Sequence, residues 1–177
     1  MSRVRLLRGD ALAAAIAAEA PVDRDRFVDA LLGLDGEPAV DDETVAGDPE
    51  LIRCVASGVS AVADAVLKAG IGPGDVFVDV GSGSGRVAML VHLLTGARTI
   101  GLEIQRGLVD FGLERVLALG LEGVELRVGD ARTELPEGSV HYLYLPFVGA
   151  ALARVVEAMS TMARRKAFAV CALGVEL

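Results

Sequence analysis

One stretch, Val76-Phe77-Val78-Asp79-Val80-Gly81-Ser82-Gly83-Ser84-Gly85, limits the fold of this chain more than any other. Its apolar run of β-formers, with no polar face, marks a parallel strand covered by helices on both sides. The alternate glycines then let the backbone turn sharply and approach a neighbour without a Cβ in the way. A helix follows, with Val87, Leu90, Val91 and Leu94 on one side.

The same alternation continues to the end of the chain. Arg98 to Leu102 reads as a second strand. A helix over 104–119 turns Val109, Leu113, Val116 and Leu117 inward. Strands over 124–128 and 139–145 come next. A helix over 149–162 carries Leu152, Val155, Val156 and Met159 as its stripe, and a fifth strand covers 167–172. Strands alternating with helices imply an α/β fold with a parallel sheet and right-handed crossovers. Ligands of such sheets sit beyond the carboxyl ends of the strands, so the residues after each strand are the candidates for a site.

The first third reads as helical. Ala11 to Ala20 is one helix, Pro21 breaks it, and Asp23 to Leu34 is a second, with Phe27, Leu31 and Leu34 on one face. Residues 35–48 are rich in acids and turn formers and read as a loop. Asp48-Pro49 then opens a helix whose stripe is Ile52, Val55, Val59, Val62 and Val66, ended by Gly70. This divides the chain into an N-terminal helical extension, 1–47, and an α/β domain, 48–177.

Composition bounds the function. At 177 residues with 53% hydrophobic and 24% charged residues, the chain has room for one folded core. A net charge of -8 works against a phosphate backbone as partner. The one basic cluster, Arg164-Arg165-Lys166, reads as a helix C-terminus. No apolar run is long enough for a membrane span. Arg3, Arg5 and Arg8 ahead of an alanine-rich run resemble a signal peptide faintly, but Asp10 and Glu19 interrupt the pattern, and a first helix is the better reading. Cys54 and Cys171 lie far apart in apolar stretches, without zinc or disulfide spacing. Free thiols in a reducing cytoplasm fit them, and no metal site is expected.

Three acids fall at strand ends: Asp79 with the glycine turn after strand one, Glu103 after strand two and Asp130 after strand three. A dinucleotide brings its pyrophosphate to a G-x-G-x-x-G turn. Here the spacing is G-x-G-x-G, and Asp79 stands two residues before the first glycine, where it would repel a pyrophosphate. A nicotinamide-dependent oxidoreductase is therefore the less favoured reading, although Glu103 permits it. The acids suit a cationic nucleoside without phosphates, which is the chemistry of S-adenosylmethionine.

The segments 76–86, Gly101-Leu102-Glu103 and Gly129-Asp130-Ala131 resemble class I S-adenosylmethionine-dependent methyltransferases, over about residues 48–172. Within that class, Gly74 to Arg86 is most similar to the Dot1-like group. The resemblance implies a Rossmann-like sheet of order 3-2-1-4-5. It implies that Asp79, Gly81 and Gly83 cradle the methionine part of the cofactor, that Ser82 and Gly85 also bind the cofactor, that Glu103 holds the ribose, and that Asp130 and Ala131 contact the adenine. Asp48 and Pro49 would border the same pocket.

Methyl transfer from a sulfonium is an in-line displacement that needs alignment more than a dedicated base. His92, in a helix, and His141, in strand four, read as structural. The acceptor side would be Tyr144, Pro146 and Phe147. Amino-methylating relatives place Asn or Asp there, and this chain has neither, which speaks against base amino methylation and weakens lysine methylation. Tyr142 and Tyr144 share a strand face, where either hydroxyl serves packing or the acceptor.

The resemblance implies two further strands after the fifth, and none is read here, so the fifth-strand edge is expected to be open to pairing. A homodimer or a partner subunit along that edge is one expectation. An inactive or truncated cofactor-binding module acting through association is the alternative to an active enzyme on a small molecule or a protein side chain.

Overall fold

The computed structural model describes residues 6–36, 47–51, 57–144 and 147–173. Ile52, Cys54, Val55, Leu145, Pro146 and most of the acidic loop lie outside the described residues.

Two helices come first, α1 (Gly9–Ala18) and α2 (Arg24–Leu32), then α3 (Val59–Ala69). The α/β alternation follows as β1 (Val76–Val80), α4 (Arg86–Thr95), β2 (Arg98–Glu103), α5 (Arg106–Leu119), β3 (Val124–Val128), β4 (Val140–Tyr144), α6 (Gly149–Ala163) and β5 (Ala169–Leu173). The five strands form one sheet of order β3-β2-β1-β4-β5, with every pair parallel. This is the expected Rossmann-like arrangement.

The sheet separates two apolar clusters. On one face Phe77, Val140, Tyr142, Val124 and Leu126 pack under α1 to α4, with Leu12, Val28, Leu32, Val59 and Val62 in the same cluster. On the other, Val78, Val80, Leu102 and Leu143 pack against Ala151, Val155 and Met159 of α6. The alternation of Phe77 and Asp79 with Val78 and Val80 thus serves both layers. No helix among the described residues is long and apolar enough to cross a membrane.

Three expectations need correction. The helix anticipated to run unbroken from Asp48-Pro49 is interrupted, and α3 starts at Val59. Gly58 is extended (φ -60°, ψ 139°), and the first amide of α3, that of Val59, donates to Asp25 Oδ1 at 3.0 Å. Residues 48–51 instead form a tight turn, with the Glu50 and Leu51 amides both donating to Asp48. On α5 the buried face is Leu108, Val109 and Gly112, so Leu113 and Leu117 are exposed, at 42% and 84%. The cause is Gly112, which brings the helix backbone directly against Ser84 and rotates the leucines outward. Val156 is likewise solvent-exposed on α6.

Candidate functional site

The site begins with the turn after β1. Gly81, Gly83 and Gly85 all have positive φ (78°, 56° and 81°), a region other residues enter only with strain. The turn is tied to β2, because the Gly81 and Ser82 amides both donate to Leu102 O. Gly101 lies beneath it, and a Cβ there would sit 2.7 Å from Ser82 Oγ. Sequence therefore sets both the path of the turn and its close approach to the neighbouring strand.

Asp79 and Glu103 are brought together. Asp79 pairs in register with Gly101 on β2 and Tyr142 on β4, and it is buried. Burial pushes its carboxyl up to about 7, with the nearby Glu103 charge adding and the Ala88 amide at the start of α4 opposing. Its Oδ2 is buried without a hydrogen-bond partner, as is Ser82 Oγ in the same turn. Glu103 is also buried but well satisfied: Oε2 accepts the Gly83 amide at 2.9 Å and Oε1 accepts the Gln105 amide at 2.9 Å. Two acids with no arginine or lysine partner among the described residues, one keeping an orphan oxygen, fit a ligand that carries positive charge and N–H donors.

The third acid has a different setting. Asp130 is half-buried beside β3, and Arg132 occupies its carboxylate, with Nε 2.9 Å from Oδ1 and 3.0 Å from Oδ2. The same guanidinium reaches Asp48 Oδ2. Hydrogen bonding to Arg132 holds both carboxyls below the usual range, and the two acids push the guanidinium still further up. Ala131 is buried on the α6 face of the sheet.

Of the acceptor-side residues, Phe147 is buried with α6, whereas Tyr144 is half-buried on the opposite face. Tyr142 stacks at 5.9 Å on Phe77, and burial pushes its phenol up to about 12. Neither histidine faces the strand ends: His92 Nδ1–H donates to Ala97 O (2.8 Å) and His141 Nε2–H to Pro136 O (2.9 Å).

Two residues escape the sequence reading. Arg132 joins Asp48 to Asp130, and only its position two residues after a strand-end acid hints at this. Glu50 accepts the Ala150 amide through Oε1 at 2.8 Å, and its carbonyl accepts the Val148 amide at 2.9 Å. Leu51 forms an antiparallel bridge with Phe147. The turn at 48–51 is therefore fastened at one end beside β3 and at the other beyond β4.

A family model described as protein-L-isoaspartate(D-aspartate) O-methyltransferase matches residues 4–164. No curated protein matches the chain. Among solved structures, an RNA methyltransferase from Salinibacter ruber, in complex with S-adenosyl-L-homocysteine, is 26% identical at a TM-score of 0.53, covering 64% of this chain and 71% of that one. A dimethyladenosine transferase from Plasmodium falciparum is 17% identical at 0.56, covering 68% and 44%. A SAM-dependent methyltransferase from Thiobacillus denitrificans, also with S-adenosyl-L-homocysteine, is 17% identical at 0.50, covering 67% and 50%. The last two matches show the shared fold, and the chain spans half or less of either protein.

Proposed function

The chain belongs to the protein-L-isoaspartate(D-aspartate) O-methyltransferase family, and on that premise we propose that it transfers a methyl group to a carboxylate oxygen of a protein or small-molecule acceptor. It is an S-adenosylmethionine-dependent methyltransferase. The cofactor supplies a methyl group on a sulfonium.

The observation that carries the reading is the buried, unpartnered Oδ2 of Asp79 beside Glu103 at the glycine turn. In this reading Asp79, Gly81, Ser82, Gly83 and Gly85 hold the methionine part, with Asp79 balancing its positive charge. Glu103, already oriented by the Gly83 and Gln105 amides, keeps free lone pairs for two ribose hydroxyls. Asp130 and Ala131 border the adenine. Phe147, buried with α6, walls the acceptor side and excludes water, while Tyr144 lies on the other face of the sheet and takes no part in that wall.

A carboxylate acceptor suits this site because it arrives deprotonated at neutral pH and needs no base. Its oxygen forms the new bond to carbon, the carbon–sulfur bond breaks, and a methyl ester and a neutral thioether result. No proton has to move. The likeness of Gly74 to Arg86 to the Dot1-like group is kept for the cofactor turn alone. A cytoplasmic location and pairing of copies or a partner subunit along β5, where Ala169 and Val170 are exposed, complete the reading.

The test is calorimetry with S-adenosylmethionine, S-adenosylhomocysteine and NAD, on the native chain and on Asp79→Ala and Glu103→Arg. Micromolar binding of the first two, lost in both variants, supports the reading, and binding of NAD alone overturns it. Base-labile methyl esters that form on an isoaspartyl peptide or a small carboxylic acid, and release methanol in alkali, identify the acceptor. Binding without turnover on any carboxylate leaves a cofactor-binding module. Sedimentation of the native chain and of Val170→Lys tests the β5 edge.

A further inference from the structure

We propose that Arg132 is a positioning residue that couples the cofactor seat to the acceptor wall through the strap Asp48–Leu51. The inference rests on the reading above, in which Asp130 borders the cofactor and Phe147 the acceptor.

Arg132 is the only contact of its kind between the two sides among the described residues. Its side chain is 16% exposed, and it divides one guanidinium between two carboxylates: Nε and a terminal nitrogen face Asp130, the latter at 2.8 Å, and the other terminal nitrogen faces Asp48. A planar fork can serve two acids in fixed geometry, which a lysine ammonium cannot. The Arg132 amide also donates to Asp130 Oδ1 at 2.9 Å, so Asp130 and Arg132 move as one piece.

The strap is stiff enough to transmit a shift. Asp48 Oδ1 accepts the Glu50 amide at 3.0 Å and its carbonyl accepts the Leu51 amide at 3.1 Å, closing a turn from both sides. Its far end is the acceptor wall itself: the Leu51–Phe147 bridge, the Val148 amide on Glu50 O, and the Ala150 amide on Glu50 Oε1 at the start of α6. In the sheet order β2 and β1 lie between β3 and β4. Arg132 and the strap thus link flanks that the sheet holds three strand spacings apart.

The coupling follows from shared acceptors. Both Asp130 oxygens are engaged by Arg132. An amino group donating to Asp130 competes for those lone pairs and shifts the guanidinium toward Asp48, which tightens the strap and with it Val148 and Ala150. By linkage, an acceptor that orders the wall raises cofactor affinity by the same factor.

Amide hydrogen exchange at Leu51, Val148 and Ala150 tests this, with and without saturating S-adenosylhomocysteine, whose occupancy is fixed by calorimetry. In the native chain the ligand slows exchange at these three amides about fivefold or more. Asp48→Asn keeps the acceptor for the Glu50 amide but removes the charge that Arg132 answers. At the same occupancy it loses the ligand-induced slowing, and Arg132→Lys does not retain it. Two results overturn the proposal while leaving the cofactor reading intact: native chain that binds the ligand without any change at these amides, or Asp48→Asn with the full native change. If the native chain does not bind the ligand, the cofactor reading falls first and the coupling falls with it.

Discussion

The amide of Gly83 donates to Oε2 of Glu103 at 2.9 Å, which makes the glycine turn after β1 and the end of β2 one rigid unit. The carboxylate proposed to hold the ribose therefore also fixes the turn proposed to hold the methionine. Glu103→Gln keeps an acceptor for the Gly83 amide and should change stability by no more than about 1 kcal/mol. Glu103→Ala removes the acceptor of the buried Gly83 amide and the Glu103 bond of the Gln105 amide, and should cost about 2–3 kcal/mol. Urea unfolding of the two variants separates these roles, and both should bind S-adenosylhomocysteine at least tenfold more weakly.

Asp79 makes stability depend on pH. Its folded value of about 7 lies above the ordinary 3.8, so the folded state holds a proton that the unfolded chain releases. The stability this gives is fully present below about pH 4 and is lost as pH rises through 7. Relative to Asp79→Asn, the native chain should lose on the order of 3 kcal/mol between pH 4 and pH 8. Parallel urea titrations of both proteins measure the difference, and identical pH profiles would count against a buried, protonated Asp79.

The same proton should leave when a cationic ligand binds. Below pH 7, association of S-adenosylmethionine should release close to one proton, read by calorimetry in buffers of different ionisation enthalpy. Affinity should rise about tenfold per pH unit below 7 and level off above it. In Asp79→Asn the proton release should vanish together with most of the affinity.

Arg86, the first residue of α4, is buried and donates to Asp29 Oδ1 at 2.5 Å, Asp25 Oδ1 at 2.9 Å and Ser57 O at 2.6 Å. A cation at a helix N-terminus is unfavourable by itself, so these partners must outweigh the dipole. Arg86→Met should cost about 2–4 kcal/mol, short of a fully buried pair because Asp25 and Asp29 keep some solvent. Adding Asp25→Asn and Asp29→Asn should recover part of the loss in thermal unfolding.

Gly112 lies where α5 meets the turn. An alanine would improve helix propensity by about 1 kcal/mol, but its Cβ would fall inside contact distance of Ser84 O and 2.6 Å from Leu126 Cδ1. The backbone oxygen cannot rotate away, so Gly112→Ala should be destabilising by about 1–3 kcal/mol and should weaken S-adenosylhomocysteine binding by displacing the turn.

The strands and their order were legible because each apolar run stands between turn signals, and because parallel pairing admits few topologies. The start of α3 was not, since the apolar spacing from Ile52 to Val66 runs on through Gly58, and only the distant Asp25 shows where the helix begins. Leu113 and Leu117 misled for a related reason: periodicity finds an apolar face, but a single glycine contact set which face turned inward. Asp79 and Glu103 could be placed from their strand ends. The engagement of Asp130 by Arg132 depends on Asp48, which is 84 residues away in sequence, and no local pattern encodes it.

The hold of α2 on Arg86 has a consequence for cooperativity. The guanidinium that leaves the first turn of α4 ends on Asp25 and Asp29, so the opening helices cannot detach without releasing the segment that follows the glycines. Helices ahead of the sheet and the turn proposed to hold the cofactor should therefore melt as one foldon, and a protease that nicks α2 should abolish binding at a distance.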